Sequence, residues 1–187
     1  QYLTDALDGV EMDLDIDRYA TFDDLYQYCY RVASVVGLSC IHIWGFKHDD
    51  ALKLAETAGI AFQLTNILRD LGADIARGLI YLPEEDLKRF DYTEQDLAQH
   101  RCTEEQRALM QFQIERARQF YRDSEPLADL LARPGRAVFL VMHRTYRAIL
   151  DVIEQRNYDV FSSRARLGKM KKIWLVLQVL PIRWGWV

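Results

Sequence analysis

Along nearly the whole chain, apolar residues recur at roughly every third and fourth position, the spacing of one helix face, and no segment alternates as a half-buried strand does. Tyr2 to about Leu14 reads as the end of a helix. Thr21, with Asp24 three residues on, is placed as an N-cap for a long helix reaching about Phe46. A second long helix is predicted from about Asp49 to Arg77, interrupted at Gly59 and stopped near Gly78. Pro83 suits the start of a short helix over PEEDLKRF. Thr93 and Thr103 read as further N-caps, Thr103 pairing with Gln106 as a capping box, and the helix that follows runs to about Ala132 with a bend at Pro126. Pro134 opens another helix to about Arg156, and a last one covers about Ser163 to Leu180. Gly and Pro are too scattered to mark a linker, and there is no internal repeat. The pattern predicts one all-α domain, a single-domain helical bundle over 1–187.

One segment breaks the rule that a buried helix is apolar. QLTNILRDLGADIARGLIYLP (63–83) carries Gln63, Asn66, Arg69, Asp70, Asp74 and Arg77 among its leucines and isoleucines. At about 100° per residue, Gln63, Asn66, Asp70, Asp74 and Arg77 fall within an arc of about 80°. The other faces hold Leu64, Ile67, Leu68, Leu71 and Ile75, so the polar stripe faces something other than a dry core. Two carboxylates one turn apart repel unless a cation lies between them. Hard divalent cations take oxygen ligands, and Mg²⁺ binds one or two protein carboxylates together with substrate phosphates. Arg69 and Arg77 are suited to phosphate oxygens. These residues point to a Mg²⁺–diphosphate site; the alternative they leave open is a solvated face of Asp–Arg pairs.

Composition narrows the classes. Half of the 187 residues are hydrophobic and 28% are charged, enough for a core and unlike a disordered chain. A net charge of -4 argues against a nucleic-acid partner. Three unpatterned cysteines, Cys29, Cys40 and Cys102, suggest neither a disulfide framework nor zinc, and fit a reducing cytoplasm. The four histidines lack metal spacing and read as structural or surface residues. No apolar run approaches the about 18 residues of a membrane span. The chain opens on Gln1 inside a helical pattern, which reads as part of a longer protein.

The run Q-x-x-N-x-x-R-D-x-x-x-D-x-x-R-G-x-x-Y-L-P resembles the second aspartate-rich region of the squalene/phytoene synthase family. DGVEMDL (8–14), YCYRVASVVG (28–37) and YRAILDVIEQRNYDVF (146–161) resemble further blocks of it, in order. The resemblance implies an all-α isoprenoid synthase fold with a central cavity, and Mg²⁺-dependent (Mn²⁺ as a substitute) head-to-head condensation of two prenyl diphosphates, farnesyl or geranylgeranyl. The product would be squalene, presqualene diphosphate or phytoene, with NADPH needed only for squalene. By the same resemblance Asp70 and Asp74 hold the metal, while Gln63, Asn66, Arg69 and Arg77 line the substrate site. Tyr28, Tyr81 and Arg77 act near the leaving group or the carbocation. Val32, Ala33, Val36, Gly37 and Phe62 either line a chain-binding tunnel or pack as ordinary core. A non-catalytic assembly relative and a terpene cyclase are the rival readings.

Two departures stand out. Ala73 replaces a glutamate of the D-x-x-E-D form found in many relatives, and the family's first D-x-x-x-D motif has no counterpart in its expected place. Asp13 and Asp17 of DLDID have the right spacing, but they are read as a decoy, a solvated acidic turn. The opposing aspartate pair is expected before Gln1, which would leave these 187 residues inactive alone. The C-terminal RARLGKMKKIWLVLQVLPIRWGWV (164–187) combines Arg164, Arg166, Lys169, Lys171 and Lys172 with an apolar end. It reads either as a peripheral membrane contact or as a helix packed on the core.

Overall fold

The structure is a computed structural model that describes residues 1–184. Eleven α-helices and one π-helical segment make up the described residues, with no strand among them; two isolated β-bridges join Arg18 to Ile80 and Phe46 to Leu131. Helix α1 (Tyr2–Asp15) is followed by α2 (Phe22–Cys29), a π-segment (Tyr30–Ser34) and α3 (Val35–Trp44). Then come α4 (Asp50–Ala76), the short α5 (Glu84–Arg89) and α6 (Glu94–Ala98), α7 (Glu104–Ser124), α8 (Leu127–Leu130) and α9 (Arg133–Gln155). The chain closes with α10 (Lys169–Leu177) and α11 (Leu180–Trp184).

Helix α4 is the central strut, packed between the α2–α3 rod, α7 and α9. Ile60, Leu64, Ile67, Leu68 and Leu71 are all buried in the main core, together with Leu109, Met110, Ile114 and Tyr121 of α7 and Leu150 and Ile153 of α9. Burial of large apolar side chains on every flank but one is what leaves a single polar stripe on α4. The predicted caps at Thr21 and Thr93 both form, and in each the aspartate three residues on returns a bond to the capping backbone N–H.

Several expectations need correction. Gly59 does not interrupt α4, which runs unbroken. Its missing side chain instead admits Ser34 of the π-segment, since a Cβ there would lie 2.4 Å from the Ser34 Cα. The rod from Phe22 is not a plain α-helix to Phe46: it inserts a π-turn after Cys29 and ends at Trp44, where Gly45 takes φ 84°. Thr103 caps α7 through the Gln106 N–H, but the Gln106 side chain donates to the Tyr158 carbonyl, so the reciprocal half of the box is absent. That helix ends at Ser124, and a separate single turn follows Pro126. The last predicted helix is also shorter. Residues 161–168 are irregular because the Asp159 carboxylate accepts from the N–H groups of Phe161 and Ser162, while Arg156 holds the Ser163 carbonyl. Of the C-terminal segment, Gly185, Trp186 and Val187 lie outside the described residues.

Candidate active site

The stripe predicted on α4 lines one polar pocket of about 270 Å³. Gln63, Asn66, Asp70, Asp74 and Arg77 all border it, together with Arg69, Tyr28, Tyr81 and Asp13. Every site residue proposed from the sequence is therefore brought to the same place. Tyr28 arrives from the end of α2, just before the π-turn, and Tyr81 from the loop that Gly78, at φ 85°, turns back along α4.

Asp13 corrects the sequence reading. It is solvent-exposed, but it lies in the last turns of α1 rather than in an acidic loop, and it is part of the site. Its Oδ1 accepts from the Tyr28 hydroxyl at 2.8 Å and from the Tyr81 hydroxyl at 3.0 Å. Both tyrosines are themselves buried, at 3% and 7% exposure, with ring centroids 5.1 Å apart. Burial, helped by the adjacent carboxylate, raises both phenol pKa values, so the hydroxyls stay protonated. Tyr19 packs against both rings and was not foreseen. Asp17 points elsewhere, its side chain 71% exposed.

The two aspartates of the stripe differ in their surroundings. Arg69 donates to Asp70 through Nε at 3.0 Å, and Arg164 donates to the same carboxylate at 2.8 Å from 94 residues further along. Burial alone would raise the Asp70 pKa, but the two guanidiniums outweigh it and hold it below the ordinary value. Asp74 has only Arg77, at 2.7 Å. Burial, reinforced by the nearby Asp70 and Asp13 charges, raises its pKa. Arg164 had been grouped with the basic C-terminal segment; the irregular stretch after Asp159 is what carries it to Asp70.

Oxygen donors dominate the pocket. Besides the carboxylates, Asn66 Oδ1 is buried without a partner, while its Nδ2 donates to Gln63 at 3.2 Å. An unpaired buried oxygen and a buried carboxyl whose single arginine partner is mostly exposed both suit a hard divalent cation. Among the described residues no three His, Cys, Asp or Glu side chains form a ready-made metal cluster. The set therefore fits a cation such as Mg²⁺, which takes few protein carboxylates and completes its shell with water and phosphate.

Three further pockets adjoin, one of them a cavity of about 570 Å³ bordered by Arg69, Asp70, Asp74, Arg77, His100 and Arg164. Gln63 and Asn66 also border an apolar cavity of about 260 Å³, walled by Val32, Ala33, Val36, Gly37 and Phe62 and reaching Trp44 and Phe139. The five residues named as either tunnel or core do line a cavity. On the other side of Arg69, a basic pocket of about 360 Å³ gathers Arg69, Arg164, Arg166 and Lys172 beside Tyr146.

A family model described as squalene/phytoene synthase covers residues 1–171. The chain belongs to the squalene/phytoene synthase family. Within that family it is 44% identical to a 15-cis-phytoene synthase of Synechococcus elongatus, over 92% of this chain and 60% of that protein. It is 41% identical to a chloroplastic phytoene synthase of Daucus carota, over 92% of this chain and 45% of that one. A dehydrosqualene synthase crystallised with a ligand superposes with a TM-score of 0.89 at 30% identity, covering 95% of this chain and 63% of the other. A squalene synthase of Alicyclobacillus acidocaldarius superposes at 0.81 with 26% identity, over 84% and 60%. The chain thus spans well under two thirds of the length of the curated relatives it matches.

Proposed function

We propose that the protein containing this chain catalyses the Mg²⁺-dependent head-to-head (1'-1) condensation of two prenyl diphosphates. The observation that carries the reading is the junction of two environments at Gln63 and Asn66, which border both the aspartate pocket and the apolar cavity. An amphiphile with an anionic head and a hydrocarbon tail fits that junction. Relatives named phytoene synthase at 44% and 41% identity favour phytoene, hence geranylgeranyl diphosphate and no nicotinamide reductant.

In this reading Asp70 and Asp74 would hold a divalent cation, which when bound would supply positive charge to the diphosphate leaving group of the allylic substrate. Arg69 and Arg77 hold the oxygens on which charge develops. The Tyr28 and Tyr81 phenols, kept protonated and oriented by Asp13, turn oxygen lone pairs and ring faces toward the cation left behind. The apolar cavity excludes water that would quench that cation before the second prenyl double bond captures it. The basic pocket around Arg164 and Arg166 offers a place for the second anionic head. Peripheral contact with a membrane, where lipid substrate and product reside, belongs to the same proposal.

The test is to incubate the full-length protein with farnesyl or geranylgeranyl diphosphate and Mg²⁺, with and without NADPH. Diphosphate release and a C40 hydrocarbon from geranylgeranyl diphosphate are expected without reductant. Asp70→Asn and Asp74→Asn should each lower the rate at least about a hundredfold. Unimpaired turnover in either variant refutes the metal assignment.

A further inference from the structure

Arg164 stands between two of the pockets. It borders the cavity of about 570 Å³ that holds Asp70 and Asp74, and also the basic pocket of about 360 Å³ that gathers Arg69, Arg166 and Lys172. Its backbone is fixed on both sides. Val160 and Ala165 are buried, the Asp159 carboxylate accepts from the Phe161 and Ser162 N–H groups, and Arg156 donates to the Ser163 carbonyl at 2.9 Å. The Phe161 ring also stacks on His100, with centroids 4.8 Å apart. The Arg164 side chain is thus a long arm on a firm mount, and rotation about its own bonds can turn it toward either pocket.

In the structure the arm lies on Asp70. Arg164 donates through Nε to one carboxylate oxygen and through Nη2 to the other, the latter at 2.8 Å. Arg69 donates in the same two-pronged way to the same two oxygens. An ionised carboxylate offers about four acceptor sites, so the two guanidiniums leave none over. A divalent cation therefore cannot coordinate Asp70 until one arginine withdraws. Exposure decides which one. The Arg69 side chain is 15% exposed and that of Arg164 49%. Breaking a half-exposed pair costs little, whereas stripping a mostly buried arginine of its partner strands a charge. Arg164 is the one that can leave.

Its destination is set by charge. The basic pocket has no carboxylate among its described lining residues, so a further guanidinium enters it favourably only when an anion is there. We propose that Arg164 is a displaceable counter-ion: it fills the Asp70 carboxylate in the metal-free site, and passes to an anion of the diphosphate class in the basic pocket when a divalent cation takes Asp70. Metal and anion then bind with positive coupling, because each removes the Arg164–Asp70 contact that opposes the other, and such coupling is reciprocal. Arg164 is a positioning residue in this scheme, acting through Asp70 and the anion. The inference rests on the proposed metal at Asp70, but its measurements involve no condensation, so the two can fail separately.

The experiment reads binding to the chain with no prenyl substrate present. Mn²⁺, followed by the paramagnetic resonance signal of the free ion, is titrated against the parent chain, Arg164→Gln and Arg166→Gln. Arg164→Gln should bind Mn²⁺ about two- to fivefold more tightly, the range that removal of one half-exposed competing pair allows. Arg166→Gln removes the same charge from the same pocket without freeing Asp70, and should change the affinity much less. The second measurement is calorimetric binding of inorganic diphosphate in EDTA. Asp70→Asn should bind it more tightly than the parent, and adding Arg164→Gln should abolish that gain, which loss of a negative charge alone would not do. Circular dichroism checks the fold of each variant. Should Arg164→Gln misfold, Arg164→Lys replaces it, with an Mn²⁺ affinity above that of the parent because a point charge cannot hold both oxygens. Equal Mn²⁺ affinity in the parent and in Arg164→Gln overturns the counter-ion role and leaves the metal assignment standing. A diphosphate gain in Asp70→Asn that survives the second substitution also overturns it. Mn²⁺ that binds Arg164→Gln as well with Asp70→Asn as without overturns the metal assignment, and this inference with it.

Discussion

Asp70 shares its carboxylate between Arg69 and Arg164, and Asp74, one turn along the same helix, has Arg77 alone. The residues are alike in sequence context and opposite in electrostatic balance. That difference predicts opposite stability effects for one chemical change, carboxylate to amide, in the metal-free chain. Asp74 is raised in pKa by burial, so its ionised form costs folding free energy once pH exceeds the ordinary carboxylate value. Arg77 is 66% exposed and its pair contributes little. Asp74→Asn should therefore raise Tm in EDTA, by about 2–4 °C per kcal/mol relieved. Asp70→Asn should lower it, because Arg69, 15% exposed, loses its charge partner. The Asp70 contribution is present above about pH 4 and fades as pH falls through its lowered pKa. Thermal melts of both variants check the pair of signs, and adding Mg²⁺ with diphosphate should raise Tm in the parent chain but not in Asp74→Asn. Asp13→Ala should cost about 1–3 kcal/mol by leaving two buried tyrosine hydroxyls unpaired, measured by urea titration. Its signature is a lowered Tm that Tyr28→Phe/Tyr81→Phe partly restores.

Among the elements, the crossing of the α2–α3 rod and α4 decides where Tyr28 stands. The π-turn at Tyr30–Ser34 re-aims the rod just after Tyr28, and Ser34 anchors it by donating to the Glu56 carbonyl at 2.7 Å. Gly59 makes that approach sterically possible. Gly59→Ala would place a methyl against Ser34 backbone, which flexible side chains cannot relieve. The expected cost is about 1–3 kcal/mol despite alanine's better helix propensity, read as a lower urea midpoint. The same displacement should lengthen the Tyr28–Asp13 hydrogen bond. In sequence Gly59 is legible only as a weak helix residue, because nothing local tells which backbone will lie against it. The caps at Thr21 and Thr93 were legible, since a threonine and an aspartate three residues later bond within one turn. The irregular 161–168 stretch was not, as its apolar spacing alone suits a helix and the competing Asp159 bonds are a local alternative that periodicity ignores.

For the whole molecule, α7 and α9 are tied by a buried histidine. His143 is 4% exposed, and its Nε2 lies 3.1 Å from the Tyr121 carbonyl, which accepts from it. Tyr121 in turn bonds Thr65 of α4 at 2.8 Å, so one chain of contacts links three helices. Burial lowers the His143 pKa, so the unfolded chain binds more protons than the folded one. The stabilisation is whole above about pH 6.5 and is lost as pH falls from there toward the lowered value. Stability measured by denaturant titration should decline on that acid limb, and His143→Phe should flatten the decline. A pH-independent midpoint across the range would refute it.

What the sequence by itself determined is whatever repeats along a single helix: the all-α class, most helix starts, and the stripe of Gln63, Asn66, Asp70, Asp74 and Arg77. A helix's periodicity maps residue spacing directly onto direction, so a shared face follows from arithmetic. Only the tertiary structure decided which distant groups complete that face. Asp13 meets Tyr28 and Tyr81 from a separate helix, and Arg164 reaches Asp70 across 94 residues. Those meetings depend on helix crossing angles and a π-turn, which packing between elements sets, and on one irregular segment held by the Asp159 bonds that apolar spacing does not register.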